Sequence, residues 1–470
     1  MFHSTRFFSL LALYALGIAT AHAQSELNNF STVARGGVAT TFVTDYQAIG
    51  INPANLGRTG NARVALTIGE VGIGLGSQSL SHTQLDKIIN LDDEELSMTE
   101  RRALARSFTS DNVLNLNVDA TPVALSVVLP VVGSFAFSSR QRVTTHLALN
   151  KNMAELLFLG KNAPIYPTNF NPATAPLLSE ALNGTAIQAA AYNEYNISYG
   201  RRVLNLPKFK LSVGAGYRYV QGIGVIDVRA ENGKLEAYSA VSPQFKINYG
   251  AVTSNPSFNL QKDTDKLLQP VGRGHGYDLG LAAEVGKSLR LGVSMIDMGN
   301  MTWEGNLLTA NDQKLQRLRS NGADSYEFFS ELADLFASGT DSLLQYKPAE
   351  KRSADLPTKF RAGVGMKVGT RLEVGLDVTH PLNKVAGNIP DTFYGLGVDV
   401  KPFSWLRLSS GVSRGAGYGT GIPVGIAIAS SFYEAGFSTR DLQGLLTDDD
   451  KPYASIAMGF LRLKIGKVKE

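Results

Sequence analysis

The sequence predicts an all-β protein, a transmembrane antiparallel β-barrel of about fourteen strands with partly helical extracellular loops. Three observations support this fold class. Apolar and polar residues alternate with a period of two along most of the chain. Glycine is abundant, with 47 of the 470 residues, while only 18% of residues are charged. The first residues have the pattern of an export signal.

The composition excludes several other classes of protein. Apolar residues make up 44% of the chain and the mean hydropathy is −0.04, whereas a helical membrane protein needs several apolar spans of about 20 residues. A disordered chain would be richer in charge and poorer in aromatic residues. The net charge of +4 comes from scattered residues, so no nucleic-acid partner is expected. Because cysteine is absent, disulfides, thiolate zinc sites and cysteine nucleophiles are excluded.

Residues 1–23 are predicted to be a secretory signal peptide. Arg6 provides the positive charge, Phe7 to Ile18 form the apolar region, and Ala21-His22-Ala23 is a typical cleavage site. The mature protein is therefore expected to begin near Gln24 and to reach the outer membrane of a Gram-negative cell.

Strands are predicted wherever apolar residues occupy every second position, because successive side chains of a strand face opposite sides. The clearest segments are Phe209 to Tyr219, Tyr277 to Val285, Leu289 to Val293, Phe360 to Val368, Leu372 to Val378, Tyr394 to Val400 and Ile422 to Ile428. A soluble sandwich alternates in the same way. The large number of strands, the signal peptide and the absence of a linker favour one membrane barrel over residues 62–470.

The apolar segment from Ala120 to Phe137 could be mistaken for a membrane helix. It contains Pro122, Pro130 and Gly133, and proline interrupts a helix. Two strands joined by a turn at Pro130 are therefore predicted.

Short and long connections alternate, as they do in outer-membrane barrels. Short turns are predicted near Pro130, at 201–207, near Lys287, at 369–370, at 401–404 and near Ser431. The longest connections are 77–119, 147–186, 222–274 and 299–356. Glu231-Asn232-Gly233 predicts a hairpin, which is interpreted as part of an outer loop because counting its arms as spans would break the alternation. An even number of spans places both chain ends on the periplasmic side.

Two outer loops are predicted to contain helices. Ser97 and Glu100 form the pattern of a capping box, opening a helix that ends near Ser107. Leu315 to Phe336 also has helical spacing. Its apolar positions suit packing, an acyl chain or a partner helix, and the candidate binding residues are Phe328, Phe329, Leu332 and Phe336.

A glycine-bearing stretch precedes the first strand, which is predicted to begin near Ala62. Its residues include Gly36, Gly37, Asp45 and the sequence Asn52-Pro53-Ala54. Asn52 before Pro53 favours a turn, in which Asn52 should hydrogen-bond backbone groups, and Gly57 suits a left-handed exit.

These residues resemble a known group. The stretch Ala34 to Thr40, the acidic Asp45 and Asn52-Pro53-Ala54 are similar to the FadL-like long-chain fatty-acid transporter superfamily, in particular its Bacteroidota-type members, which include PorV-like proteins of type IX secretion and a barrel family with a domain of unknown function. Gly274 to Gly280 and Ile296 to Gly299 carry the same resemblance. It implies a fourteen-stranded barrel whose lumen holds an N-terminal hatch, residues 24–61. Gly36, Gly37, Asp45, Asn52, Pro53 and Ala54 would then have a structural or gating role.

The chain end departs from the usual pattern of such barrels. A last strand is predicted around Ile456 to Phe460, followed by a basic tail, Lys464 to Glu470, where many outer-membrane barrels end on an aromatic residue.

No catalytic, cofactor or metal site is predicted, and the protein is not expected to be an enzyme. His82, His146, His275 and His380 lack metal-ligand spacing, and Gly286-Lys287-Ser288 lacks the first glycine of a phosphate-binding loop. The predicted function is passive uptake or binding of hydrophobic small molecules, gated by the hatch. The expected partners are outer-membrane lipid and a hydrophobic ligand. The alternative is a PorV-like carrier that docks secreted or surface proteins through its outer loops.

Overall fold

The fold is taken from a computed structural model that describes residues 29–58, 62–77, 80–81, 83–84, 95–108, 113–262, 268–325, 332, 335–336, 343–417, 419–442 and 453–467. The predicted signal peptide, Phe328 and Phe329 lie outside these residues.

Strands dominate the described part of the chain. They are β1 (Ala62–Ser77), β2 (Val113–Leu129), β3 (Gly133–Ala148), β4 (Thr185–Leu206), β5 (Phe209–Glu231), β6 (Lys234–Val241), β7 (Gly272–Val285), β8 (Leu289–Trp303), β9 (Leu307–Ala310), β10 (Lys347–Pro348), β11 (Arg352–Asp355), β12 (Lys359–Val368), β13 (Leu372–Pro381), β14 (Phe393–Phe403), β15 (Leu406–Gly415), β16 (Thr420–Gly421), β17 (Val424–Ala429), β18 (Tyr433–Thr439) and β19 (Tyr453–Lys467).

The described helices are short. They are α1 (Phe30–Val33), α2 (Met98–Ser107), α3 (Lys151–Leu159) and α4 (Leu178–Ala181), with 3₁₀ turns at Asp45–Ala48, Pro53–Gly57, Gly160–Asn162, Pro243–Phe245 and Gly250–Ser254. Helix α2 begins with the predicted capping box, in which Ser97 and Glu100 bond each other's backbone N–H groups. No described helix is long and apolar enough to cross a membrane.

The sheet closes on itself as a barrel of 14 antiparallel strands. Its order is β1, β2, β3, β4, β5, β7, β8, β12, β13, β14, β15, β17, β18 and β19, and β19 pairs with β1 from Ala62↔Lys467 to Gly76↔Tyr453. The predicted strand number is confirmed. The predicted turn at Pro130 is also confirmed, because it separates β2 from β3.

The outer surface of the barrel is apolar. On β7, Tyr277 and Leu279 are 52% and 55% exposed, while Asp278 between them is 3% exposed. Aromatic rings lie near both ends of the apolar surface, with Phe403 and Trp405 stacked at the β14–β15 turn and Tyr217 packed against Tyr277. A closed barrel with an apolar exterior and aromatic girdles is the architecture of outer-membrane barrels.

The short turns and long loops lie at opposite ends of the barrel, which are called here the short-turn end and the loop end. β5 extends beyond the barrel at the loop end and forms the predicted hairpin with β6, where Asn232 and Gly233 have φ values of 52° and 71°. Positive φ at both central residues is the geometry of the type I′ hairpin turn. β6 then pairs with β9, so the hairpin belongs to an outer loop, as predicted.

The end of the last strand corrects one prediction. β19 continues to Lys467 and pairs with β1 along its whole length, so most of the predicted basic tail is strand. The reason is alternation: Ile465 is 60% exposed on the outer face, whereas Lys464 faces the lumen and forms an ion pair with Glu434.

Candidate functional site

The lumen contains three layers along its axis. At the loop end, residues from the long loops and the upper strand ends form one apolar cluster, called here the loop core. Below it lie buried ionised side chains, the charge layer. At the short-turn end lie residues 29–58, the N-terminal segment. Each layer is positioned by a different part of the sequence.

Helix α3 lies in the middle of the loop core. Met153, Leu156 and Leu157 are fully buried, and their spacing places them on one helix face. Asn150 caps the helix by accepting a bond from the Met153 N–H at 2.8 Å, and its amide donates to the Ala181 carbonyl at 3.0 Å. The core is therefore organised around an anchored apolar helix.

A second part of the loop core limits the helix predicted over Leu315 to Phe336. The described residues 332, 335 and 336 are helical, as predicted, whereas residues 315–325 are not. Their backbone groups bond a neighbouring loop instead: Lys161 N–H donates to the Ser320 carbonyl at 2.9 Å, and Ala323 N–H donates to the Leu157 carbonyl at 2.8 Å. These long-range bonds use groups that a helix would have paired internally.

Two of the four candidate binding residues can be placed. Leu332 and Phe336 are 3% and 0% exposed and belong to the loop core. Tyr166 packs in the same core and donates its hydroxyl to the Gln316 carbonyl at 2.8 Å. Burial raises the pKa of Tyr166 to about 12, so the hydroxyl remains a donor at neutral pH.

The charge layer consists of equal numbers of buried cations and carboxylates. None of these side chains is more than 4% exposed; they are Arg140, Arg142, Arg218 and Lys359 with Asp119, Glu194, Asp278 and Asp297. Arg142 lies 2.8 Å from Glu194, which is 3.1 Å from Arg218. Arg218 also contacts Asp278 at 2.8 Å. Burying charges is costly unless they are paired and hydrogen-bonded. In the charge layer, each buried cation lies beside a buried carboxylate.

Asp297 is the hub of the charge layer. Its carboxylate contacts Arg142 at 3.4 Å and Lys359 at 3.5 Å, and it also pairs with Arg218. Its backbone has φ 59° beside an irregularity in the β7–β8 pairing. Left-handed aspartate at a bulge redirects a side chain. The motif Ile296 to Gly299 thus has a structural consequence that its sequence did not reveal, because it brings this carboxylate into the lumen.

The N-terminal segment lies inside the barrel, since it is almost fully buried and contacts strands on all sides of the lumen. Ion pairs join Arg35 to Asp399 of β14 at 2.9 Å and Asp45 to Arg462 of β19 at 2.6 Å. Asp377 of β13 accepts the N–H groups of Ala39 and Thr40 at 2.9 and 2.7 Å. Polar contacts therefore fix its position.

Tyr46 attaches the same segment to β1, the strand next to β19. Its hydroxyl donates to the Glu70 carboxylate at 2.6 Å, and the side-chain amide of Gln47 donates to the same oxygen at 3.1 Å. Burial, followed by the charge of Glu70, raises the pKa of Tyr46 well above its usual value. The hydroxyl therefore stays protonated as a hydrogen-bond donor.

The Asn52-Pro53-Ala54 turn packs against glycine residues of β5 and β7. Asn52 accepts the Ala54 N–H at 3.1 Å and donates to the Leu281 carbonyl at 3.0 Å. A Cβ added at Gly280 would lie 2.1 Å from the Asn52 side-chain oxygen, and one at Gly214 would lie 2.3 Å from the Ala54 nitrogen. Only glycine allows this approach.

The glycines of the segment itself fall into two kinds. Gly36 and Gly37 have φ values of 64° and 82°, a conformation that favours glycine. The left-handed exit predicted at Gly57 is wrong, because its φ is not positive. A Cβ there would lie 2.5 Å from the backbone carbon of Arg201, so close packing against β4 accounts for this glycine.

Sequence reasoning did not identify the charge layer. A signal was present, since Arg218 lies between outward-facing tyrosines of β5 and Asp278 between outward-facing residues of β7. Which inward charges meet depends on register across strands that are far apart in sequence. Among the described residues, no group of three or more histidine, aspartate or glutamate side chains is arranged to hold a metal ion.

Comparison with solved structures gives similarities of low identity. The Pseudomonas putida toluene transporter TodX is 11% identical over 95% of this chain and 98% of that chain, with a TM-score of 0.42. A Pseudomonas aeruginosa FadL homologue is 12% identical over 94% and 99%, also at 0.42. The TodX deltaS2S3 mutant monoaromatic hydrocarbon channel is 11% identical over 93% and 98%, at 0.49. At these levels the similarities assign neither a ligand nor a residue role.

No curated protein matches the chain. A family model does match, over residues 53–433, from the Asn52-Pro53-Ala54 turn to β18. The chain therefore belongs to the family of unknown function DUF5723.

Proposed function

We propose that this protein takes up hydrophobic small molecules through the outer membrane, and that residues 24–61 are a hatch gating the lumen. The observation that carries the proposal is the mode of attachment of the N-terminal segment. It fills the short-turn end of the lumen, and its described residues, 29–58, form no strand of the barrel sheet. Side chains and close backbone contacts hold it, so it can leave without opening the barrel.

The chemistry of the loop end supports a hydrophobic ligand. The loop core is built from leucine, alanine and aromatic side chains, and an apolar molecule gains free energy by leaving water for such surroundings. Leu332 and Phe336 remain candidates for this contact, which requires the core to open because both side chains are buried.

The charge layer supports a gated route. An apolar molecule on the barrel axis would have to separate paired charges such as Arg142 and Glu194, which costs several kcal/mol when a partner is left behind. Passage therefore needs the layer to rearrange together with the adjoining segment. Gly50 of the segment approaches Arg140 and Arg218, which a Cβ at Gly50 would meet at 3.2 and 3.5 Å.

The carrier alternative, including the PorV-like relationship, requires outer loops that present a docking surface. The apolar residues that suggested such a surface are in part buried within the loop core, which favours uptake over docking.

The gating role is tested by locking the segment to the wall. The chain has no cysteine, so a pair can be introduced alone. A Cβ at Gly365 would lie 3.2 Å from the Cβ of Thr41, a few tenths of an ångström below the usual range for a disulfide. We expect T41C/G365C, when oxidised, to reduce entry of the apolar dye N-phenyl-1-naphthylamine into expressing cells to the background of cells without the protein.

Reduction of the same variant should restore dye entry, and the single variants T41C and G365C provide matched controls for the substitutions themselves. Equal dye entry in the oxidised and reduced states, with the disulfide verified by mass spectrometry, would eliminate the hatch mechanism.

A further inference from the structure

A cavity lies at the short-turn end, apart from the charge layer. Its volume is about 260 Å³, and it is lined by the β12–β13 turn, the start of β13 and the end of β14. The ionisable side chains in its lining are Lys367, Arg371, Glu373, Asp399 and Lys401. Cations therefore outnumber carboxylates in this cavity.

Both carboxylates of the cavity are already paired. Glu373 lies 3.1 Å from Lys367 and 3.5 Å from Arg290. Asp399 lies 2.9 Å from Arg35 of the N-terminal segment and also accepts the Ser409 hydroxyl. Their close ion pairs are thus formed with cations other than Arg371 and Lys401, although both carboxylates attract Lys401 from a longer distance.

Arg371 and Lys401 are held side by side. The backbone N–H of Lys401 donates to the Arg371 carbonyl at 2.8 Å, extending the β13–β14 pairing of Leu372 with Val400. Within the described part of the chain, neither forms an ion pair with a carboxylate. Like charges at opposed positions of two strands repel, and a bound anion would remove that repulsion.

We propose that this cavity binds an oxyanion, a phosphate or carboxylate group, between Arg371 and Lys401. The guanidinium group supplies the fork that matches such oxygens, and the ammonium group supplies a compact charge. Thr370 lines the same cavity, and a threonine hydroxyl is a neutral donor. The site does not depend on the uptake proposed above.

The anion has two potential sources, a free oxyanion in the fluid or the head group of an amphiphile. Inorganic phosphate, butyrate and octanoate distinguish them, because butyrate and octanoate share a head group and differ in apolar tail. Tighter binding of octanoate than of butyrate and phosphate would support the site and assign the amphiphile. Equal or tighter binding of phosphate would support the site and assign the free oxyanion.

The test is calorimetric titration of the full-length protein in detergent with each of these anions. We expect R371Q/K401Q to weaken binding by about tenfold or more, the size expected from losing charge-assisted hydrogen bonds. K208Q/K287Q removes the same charge from exposed turns at the same end, and it should change affinity by less than about twofold because distant exposed charges are screened.

Absence of saturable binding by all three anions, or equal weakening in both double variants, would overturn the proposal. Circular dichroism of each variant verifies that the barrel has folded, which is expected because all four substituted side chains are at least partly exposed.

Discussion

The two ends of the lumen are closed by different chemistry. At the loop end, apolar side chains from several loops pack against one another, with Met153, Leu156 and Leu157 fully buried among them. At the short-turn end, the N-terminal segment is held by polar contacts with the wall, such as Arg35 to Asp399 and Asp45 to Arg462. The loop core is cohesive by itself, whereas the segment depends on the barrel. Substitutions in the segment and in the loop core are therefore expected to act on different parts of the molecule.

The largest effect is expected in the charge layer between the two ends. Asp297→Asn keeps a residue that tolerates the left-handed backbone but leaves Arg142, Arg218 and Lys359 without their shared carboxylate. Losing one partner of a buried ion network costs about 4 kcal/mol. Urea unfolding of the barrel in detergent should report this loss.

The matched control is Asp355→Asn, which removes the same charge from an exposed position on β11. If both variants unfold at the same urea concentration, the Asp297 carboxylate does not stabilise the barrel as predicted.

A smaller and more local effect is expected in the loop core. Leu157→Ala leaves a cavity in a fully buried position, at a cost of about 3 kcal/mol. Because the loop core is separate from the N-terminal segment, hydrogen exchange should accelerate in α3 and not in residues 29–58. The outward-facing Leu281→Ala, at a side chain 47% exposed, is the control. Faster exchange both in α3 and in residues 29–58 would show that the loop core and the N-terminal segment are coupled.

The smallest effect is expected in the segment. Asn52→Ala removes the bonds to Ala54 and Leu281, with a cost of about 1 kcal/mol. Exchange should accelerate in residues 50–58 while α3 is unchanged. Asn205→Ala, at an exposed turn of the same end, should leave residues 50–58 unaffected. Unchanged exchange in N52A would mean that other contacts hold the turn.

Much of the fold was predictable because strand alternation is local. Alternation in the sequence predicts that Tyr277 and Leu279 face outward, and the spacing of Ser97 and Glu100 predicts the start of a helix. The charge layer was not predictable, since contact between Arg142 and Asp297 depends on the packing of distant strands across the lumen. The first part of the helix predicted over Leu315 to Phe336 failed for a related reason, because backbone bonds to Lys161 and Leu157 satisfy groups of residues 315–325 that a helix would have paired internally.

The closure of β19 onto β1 has a consequence for the order of assembly. Phe30 packs at Gly436 of β18 and Gly459 of β19, and Arg462 of β19 holds Asp45. The N-terminal segment thus contacts the last two strands of the barrel, and contacts of such high sequence separation form slowly. The N-terminal segment cannot complete its contacts with the wall until β18 and β19 have formed, so its full docking follows closure of the barrel.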